Sequence, residues 1–385
     1  MANLRLTQIL ADAGHTVDVI TYPFGSDPDI QGVKVHRCGP VPFIRSVRIG
    51  FSGAKLLLDF SLAYAALRLA RRNRFDCIHA VEEGVFIGLP LSRLVRVPIV
   101  YDMDSVMSHE IARTAFGRLP GAARFVRAAE RWAIKRSALV MTISESMADY
   151  VRQIDPSKDV AVVPDIPIRL PTGGPNPEAA RAQLPVECVE SRKIVMYTGS
   201  FAAYQGLDLL ISAMARVAAR VPEAVLVIVG GDEKATKRLA GAAQSAGVMQ
   251  NLVLVGKKLP GQIPDFLSAA DVLISPRRGG INPPAKIYTY MQSGKPIVAT
   301  DIPAHTTVLS RDAAILVEPS PDGIAEGIVW ILAHSEEAAR MASRAQEIVS
   351  GITPELQARR VRDGYEILKA KIGDSGRACG GLSRE

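Results

Sequence analysis

Short apolar, β-branched runs alternate with amphipathic helical stretches twice along this chain, and that alternation restricts it to a layered α/β fold. The first run of strands is TVDVITY (16–22), FDCIHA (75–80), RVPIVYD (96–102) and SALVMTIS (137–144), with helical patterns at 3–13, 52–72 and 122–136 between them. The second run is RKIVMYTGS (192–200), AVLVIVGGD (224–232), LVLVG (252–256), DVLISP (271–276), KPIVAT (295–300) and AAILVEP (313–319). Helical patterns at 206–220, 234–247, 262–269 and 285–292 separate the earlier strands of this run. Strands that alternate with helices pair in parallel, because each crossover carries the chain back to the same end of the sheet. Two such runs imply two Rossmann-like domains, 1–165 and 191–352, joined by a Pro- and Gly-rich linker at 166–190. Helices at 320–333, 336–349 and 354–372 close the chain. The segment 353–372 is expected to pack back on the first domain, and 373–385 to fray. A doubly wound domain ordinarily opens with a strand and a glycine-bearing turn. Here LRLTQILADAGH is already a helix, stopped by Gly14, so the first strand is expected to be missing from this sequence.

Composition agrees with that architecture. Apolar residues are 48% and charged residues 22%, which excludes a wholly disordered chain. Aromatics are only 5%, so the core must be aliphatic, as buried parallel strands require. No stretch of 18 uncharged apolar residues occurs; the best candidate, 52–70, carries Lys55 and Asp59. The opening residues have a helical pattern that includes Asp12 rather than that of a signal peptide. The four cysteines, Cys38, Cys77, Cys188 and Cys379, are far apart and form no CxxC, which disfavours a metal cluster or disulfide framework and suits a reducing cytoplasm. The net charge is +7, and residues 113–136 hold seven basic residues against one acid, Glu130. Arg124, Arg127, Arg131 and Lys135 recur at helical spacing, with Phe125 and Trp132 on another face. Such a helix is either a solvated surface or a seat for anionic lipid on the inner face of a membrane. The basic, aromatic-rich modules that read nucleic acid are absent from the pattern.

The second run carries the motifs. In YTGSF a strand ends in Thr198-Gly199-Ser200 before a helix, so a glycine and free amides can meet a diphosphate. Gly230 and Gly231 end the next strand at the carboxyl edge, where open α/β sheets take their ligands. Pro283 and Pro284 precede Lys286 and Ile287 at the start of a short helix, which offers amides and a cation to phosphate oxygens. No G-x-G-x-x-G follows a strand, which disfavours a nicotinamide dehydrogenase.

These segments, YTGSFAAYQGLDLLI (197–211), VLVGKKLPGQIPDFLSAADVLISP (253–276) and PPAKIYTYMQSGKPIVATDIPAH (283–305), together with LADAGHTVDVIT (10–21), resemble the family 4 retaining glycosyltransferases over residues 1 to about 370. The resemblance implies a GT-B architecture of two facing Rossmann-like domains. It implies a nucleotide-diphosphate sugar as co-substrate with no further cofactor or metal, and transfer to a glycan, lipid-linked or small-molecule acceptor, as in polysaccharide biosynthesis. It places the nucleobase against Lys257, Lys258 and Leu259. An acid pair eight residues apart, which the family uses for sugar and ribose, falls here on Ile281 and Thr289, of which Thr289 keeps a hydroxyl. The family's diphosphate-binding Arg and Lys fall on Ser200 and Gln205, and Arg277, Arg278 and Lys286 stand nearby as substitutes.

In the first domain, His79 ends a strand where the family places a histidine pair, and Val81 takes the second place. Glu82 and Glu83 follow, either as a base for an acceptor hydroxyl or as loop and capping acids. Asp102 and Asp104 end the next strand and are candidates for holding the acceptor. His305 is a further candidate at the edge of the second sheet. Two other readings stay open at this level: a catalytically impaired binding protein that keeps the fold, and a nucleotide-sugar epimerase.

Overall fold

The computed structural model describes residues 2–44, 53–112, 117, 119–185 and 192–379. They fall into two compact units, Met1–Pro164 with Glu355–Glu385, and Asp165–Pro354. The expected ends of the linker, residues 186–190, lie outside the described residues.

The second unit is built on six parallel strands: Lys193–Gly199 (β7), Ala224–Gly230 (β8), Leu252–Gly256 (β9), Val272–Ser275 (β10), Ile297–Thr300 (β11) and Ile315–Val317 (β12). Their order is β12-β11-β10-β7-β8-β9. The register Gly199↔Gly230 aligns the carboxyl ends of β7 and β8. The inner strands β7, β8, β10 and β11 are buried on both faces, which is why they read as unbroken aliphatic runs, while the edge strands β9 and β12 are half-buried. Ile194, Met196, Val225, Val227 and Leu273 pack on one side, and Val195, Tyr197, Leu226, Ile228 and Ile274 on the other. Side-chain caps set the helix starts: Asp232 Oδ1 accepts from Ala235 N–H, and Ser320 Oγ from Gly323 N–H.

The first unit holds two parallel sheets. Val17–Thr21 (β1) and Val33–Arg37 (β2) form one; Ile78–Val81 (β3), Ile99–Met103 (β4), Leu139–Thr142 (β5) and Val160–Val162 (β6) form the other, in sequential order. The closing helix, Pro354–Cys379, belongs to this unit and packs Val361, Tyr365 and Leu368 against Leu10, Leu139 and Met141. At Gly364 an added Cβ would stand 2.9 Å from Met141 and 3.0 Å from Ala161, so glycine sets the helix this close to β5 and β6.

Three differences from the sequence reading have physical causes. The stretch read as a linker carries a short helix, Pro177–Arg181, capped by Asn176, and Ala180 and Leu184 bury themselves in the core of the second unit. Strands β2 and β6 and the helices Val85–Val95 and Glu145–Ile154 were not expected. The closing helix runs on to Cys379 where fraying was expected from 373.

Candidate active site

At the carboxyl edge of the second sheet, β7 gives way to Ser200 through Gly199, whose φ of +138° is open to glycine. Gly230 (φ +135°) lies beside it, and an added Cβ there would fall 2.0 Å from the Gly199 carbonyl oxygen. At Gly231 the added atom would meet the Phe201 ring at 2.5 Å. Two strand ends thus touch backbone to backbone under one aromatic ring. The turn is pinned from below: Tyr290 Oη accepts from Thr198 N–H at 2.8 Å, and Tyr197 Oη donates to the Ser200 carbonyl at 2.7 Å.

The helix Ala285–Gln292 starts at this edge with Pro284 as an N-cap that makes no side-chain bond. Lys286 Nζ donates to Gln205 Oε1 at 3.1 Å and stands 3.9 Å from the centre of the Tyr197 ring. Its stem is partly exposed while the ammonium is enclosed; burial, then the like charge of Arg277, holds it well below the usual lysine range. Arg277 follows β10, is 4% exposed, stacks 5.0 Å over the Tyr204 ring, and donates to Asn282 O and Oδ1 at 2.9 and 3.0 Å. Arg278 instead turns outward to pair with Asp208. Ile287 is wholly buried and packs in the core, so only its backbone faces the helix end.

Several expected contacts are already taken. Thr289 is 3% exposed and its hydroxyl oxygen accepts from Ile168 N–H at 3.2 Å, so the side chain ties the start of this unit to the helix. Lys258 Nζ donates to Gln183 Oε1 at 2.8 Å and lies 5.6 Å over the Phe266 ring. The Leu259 N–H donates to Gln262 Oε1 at 3.1 Å, although its side chain is exposed; Lys257 is exposed. His305 is fully buried, between Ser275 Oγ at 2.9 Å and the Thr300 carbonyl at 2.8 Å, and is part of the wall behind Arg277.

In the first unit, His79 on β3 and Asp102 on β4 meet at 3.0 Å through Nε2 and Oδ2. The other ring nitrogen, Nδ1, lies 2.9 Å from Tyr365 Oη, and the two rings stack at 8°. Both ring nitrogens of His79 are engaged, so it anchors the closing helix. Glu82 holds a left-handed backbone (φ +49°), uncommon for a non-glycine residue, and accepts from Ser105 Oγ at 3.2 Å. Glu83 pairs with Lys55. Asp104 lies just past β4 at the same edge, partly exposed.

The helix Ala122–Arg136 buries Val126, Glu130, Ala133 and Ile134. Arg124, Arg127, Arg131 and Lys135 are exposed, and none takes part in an ion pair found among the described residues. Phe125 and Trp132 are exposed with them, so the aromatic and basic side chains share the outward surface. Glu130 is 0% exposed; it accepts from Ser108 Oγ at 2.6 Å and Tyr150 Oη at 2.7 Å.

Residues 2–165 match the model of the glycosyl transferase 4-like domain, and residues 192–334 that of the glycosyl transferases group 1. The chain belongs to the group 1 glycosyltransferases. A similar protein is the 2-deoxystreptamine N-acetyl-D-glucosaminyltransferase of Streptomyces fradiae, 29% identical over 71% of this chain and 67% of that one. The sucrose-phosphate synthase of Thermosynechococcus elongatus superposes with a TM-score of 0.79 at 21% identity, over 95% of this chain and 92% of that one. Anabaena HepE, solved in complex with UDP and glucose, superposes with a TM-score of 0.72 at 19% identity, over 95% of each chain. This glycosyltransferase therefore has the GT-B architecture of two Rossmann-like domains. Among the described residues no helix is long and apolar enough to cross a membrane.

Phe201 and Tyr290 are the members of this edge that the sequence did not single out, and the bond of Gln205 to Lys286 was not foreseen. Gln205 and Lys286 are 81 residues apart and Thr198 and Tyr290 are 92 apart, so no local pattern joins them.

Proposed function

We propose that this glycosyltransferase takes a nucleotide-diphosphate sugar at the carboxyl edge of the second unit's sheet and transfers the sugar with retention at the anomeric carbon. The observation that carries the donor reading is the meeting of Gly199, Gly230 and Gly231 with an uncapped helix end and the enclosed Lys286 ammonium. Backbone amides and a cation at a glycine-lined edge stabilise a departing diphosphate. Attack from the face that the diphosphate leaves, with a phosphate oxygen taking the acceptor's proton, needs no protein nucleophile. The first unit supplies the acceptor side through Glu82, Asp102 and Asp104, and Lys257 lies on the nucleobase side. The Streptomyces relative is named for a small-molecule acceptor; a glycan or lipid-linked acceptor is equally compatible with the basic helix Ala122–Arg136 resting on the inner face of an anionic membrane in polysaccharide biosynthesis.

Titration calorimetry with UDP and GDP tests the donor reading. One of them should bind, and Lys286→Ala should weaken it by about 1–3 kcal/mol, the range of a charge-assisted bond. NMR of the product made from the matching nucleotide sugar should show the donor's anomeric configuration kept. No binding of either diphosphate refutes the donor reading, and an inverted product refutes retention. Binding without turnover over a panel of acceptors would favour a binding protein, the outcome to which Ile281 and Thr289 in place of acids point.

A further inference from the structure

We infer that Arg277 and Lys286 together grip the two phosphate groups of the donor, in place of the cations absent at Ser200 and Gln205, and that Gln205 holds the Lys286 ammonium ready until the donor arrives. The inference rests on the donor reading above. Both cations lie against consecutive residues of one turn, Ala203–Gln205: Arg277 on the Tyr204 ring and Lys286 on the Gln205 amide oxygen. The guanidinium is aimed, since two of its nitrogens are fixed by Asn282 and its own carbonyl accepts from Thr300 Oγ1 at 2.5 Å. The loop closes over it at Gly280 (φ +131°), where an added Cβ would stand 3.1 Å from Nη2. Arg278 is excluded from the pair by its bond to Asp208.

The charged and titratable groups around the Lys286 ammonium are Arg277, the neutral His305, Tyr197 and Tyr290, and no carboxylate among the described residues acts on it. Enclosing the Lys286 ammonium beside Arg277, with no carboxylate of the described residues acting on the ammonium, is unfavourable. A diphosphate supplies the counter-charge.

The experiment compares UDP with UMP, and GDP with GMP, by calorimetry on the full chain and on Arg277→Gln and Lys286→Gln. The wild type is expected to prefer the diphosphate. Each variant should lose roughly 10- to 100-fold in diphosphate affinity and clearly less in monophosphate affinity. Retained monophosphate binding shows that the variants are folded. The inference is overturned if Arg277→Gln keeps the full preference for the diphosphate, or if it weakens both ligands alike as a structural residue would. A wild type that binds no nucleotide overturns the donor reading itself, a result visible before any variant is made.

Discussion

Acidification should loosen the second unit through His305, and the size of the effect follows from its surroundings. The ring is fully buried, with Nδ1 2.8 Å from the Thr300 carbonyl and Nε2 2.9 Å from Ser275 Oγ. Burial pushes its pKa down to about 4; the Thr300 carbonyl opposes the shift, while Lys286 and Arg277 add to it. In the unfolded chain the same imidazole titrates near 6.5. Between these values the unfolded chain binds a proton that the native protein does not, so stability falls as the pH drops below 6.5, and the loss is complete below 4. Linkage puts that loss at about 2 kcal/mol at pH 5 and about 3 kcal/mol in full. Urea unfolding of the wild type and of His305→Gln at pH 7.5 and pH 5 isolates the term, because carboxylates common to both proteins cancel. The stability difference between wild type and variant should shift against the wild type by about 2 kcal/mol at the lower pH. A difference that is the same at both pH values would refute a neutral, desolvated His305 and with it the closed wall behind Arg277.

Changing Arg124, Arg127 and Arg131 to Glu should abolish salt-sensitive co-sedimentation with phosphatidylglycerol vesicles, since each cation near such a surface contributes about 1 kcal/mol; equal pelleting with neutral and anionic vesicles would rule the contact out. Glu130→Ala should destabilise the first unit by on the order of 3 kcal/mol, because Ser108 and Tyr150 lose their acceptor inside the core, and Glu130→Gln should cost less. A melting temperature unchanged in Glu130→Ala would contradict the buried network.

Strands buried on both faces were legible because an aliphatic run such as AVLVIVG has no competing reading. VKVHR in β2 was not, since its charged and polar residues alternate with valines and it is ordered by pairing with β1. The helix VFIGLPLSRLV hides behind Gly88 and Pro90, although Gly88 is where Ile99 and Ala80 pack against it. The helix Glu145–Ile154 did announce itself, through Ser144 as a cap on Met147 N–H, and that signal was available to be read. At the site, the glycines of β7 and β8 were legible because no other residue tolerates so close an approach of two strand ends. The occupied states of Lys258, Leu259 and Thr289 were not, because their partners, Gln183, Gln262 and Ile168, are set by tertiary packing and a loop turn.

The departures from the family pattern are linked by electrostatics. A carboxylate at 289 would sit one helical turn from Lys286, on the same short helix, and would compete with a phosphate for the ammonium. With Thr289 there instead, bonded to Ile168, and Ile281 at the other acid position, no carboxylate among the described residues acts on Lys286, whose polar partner is the uncharged Gln205. In the proposed donor site the positive charge lies on the loop after β10 and the helix Ala285–Gln292, with Arg277 against the Tyr204 ring and Lys286 against the Tyr197 ring. There, cations held against aromatic rings would bind a diphosphate with less interference from salt than exposed ones do.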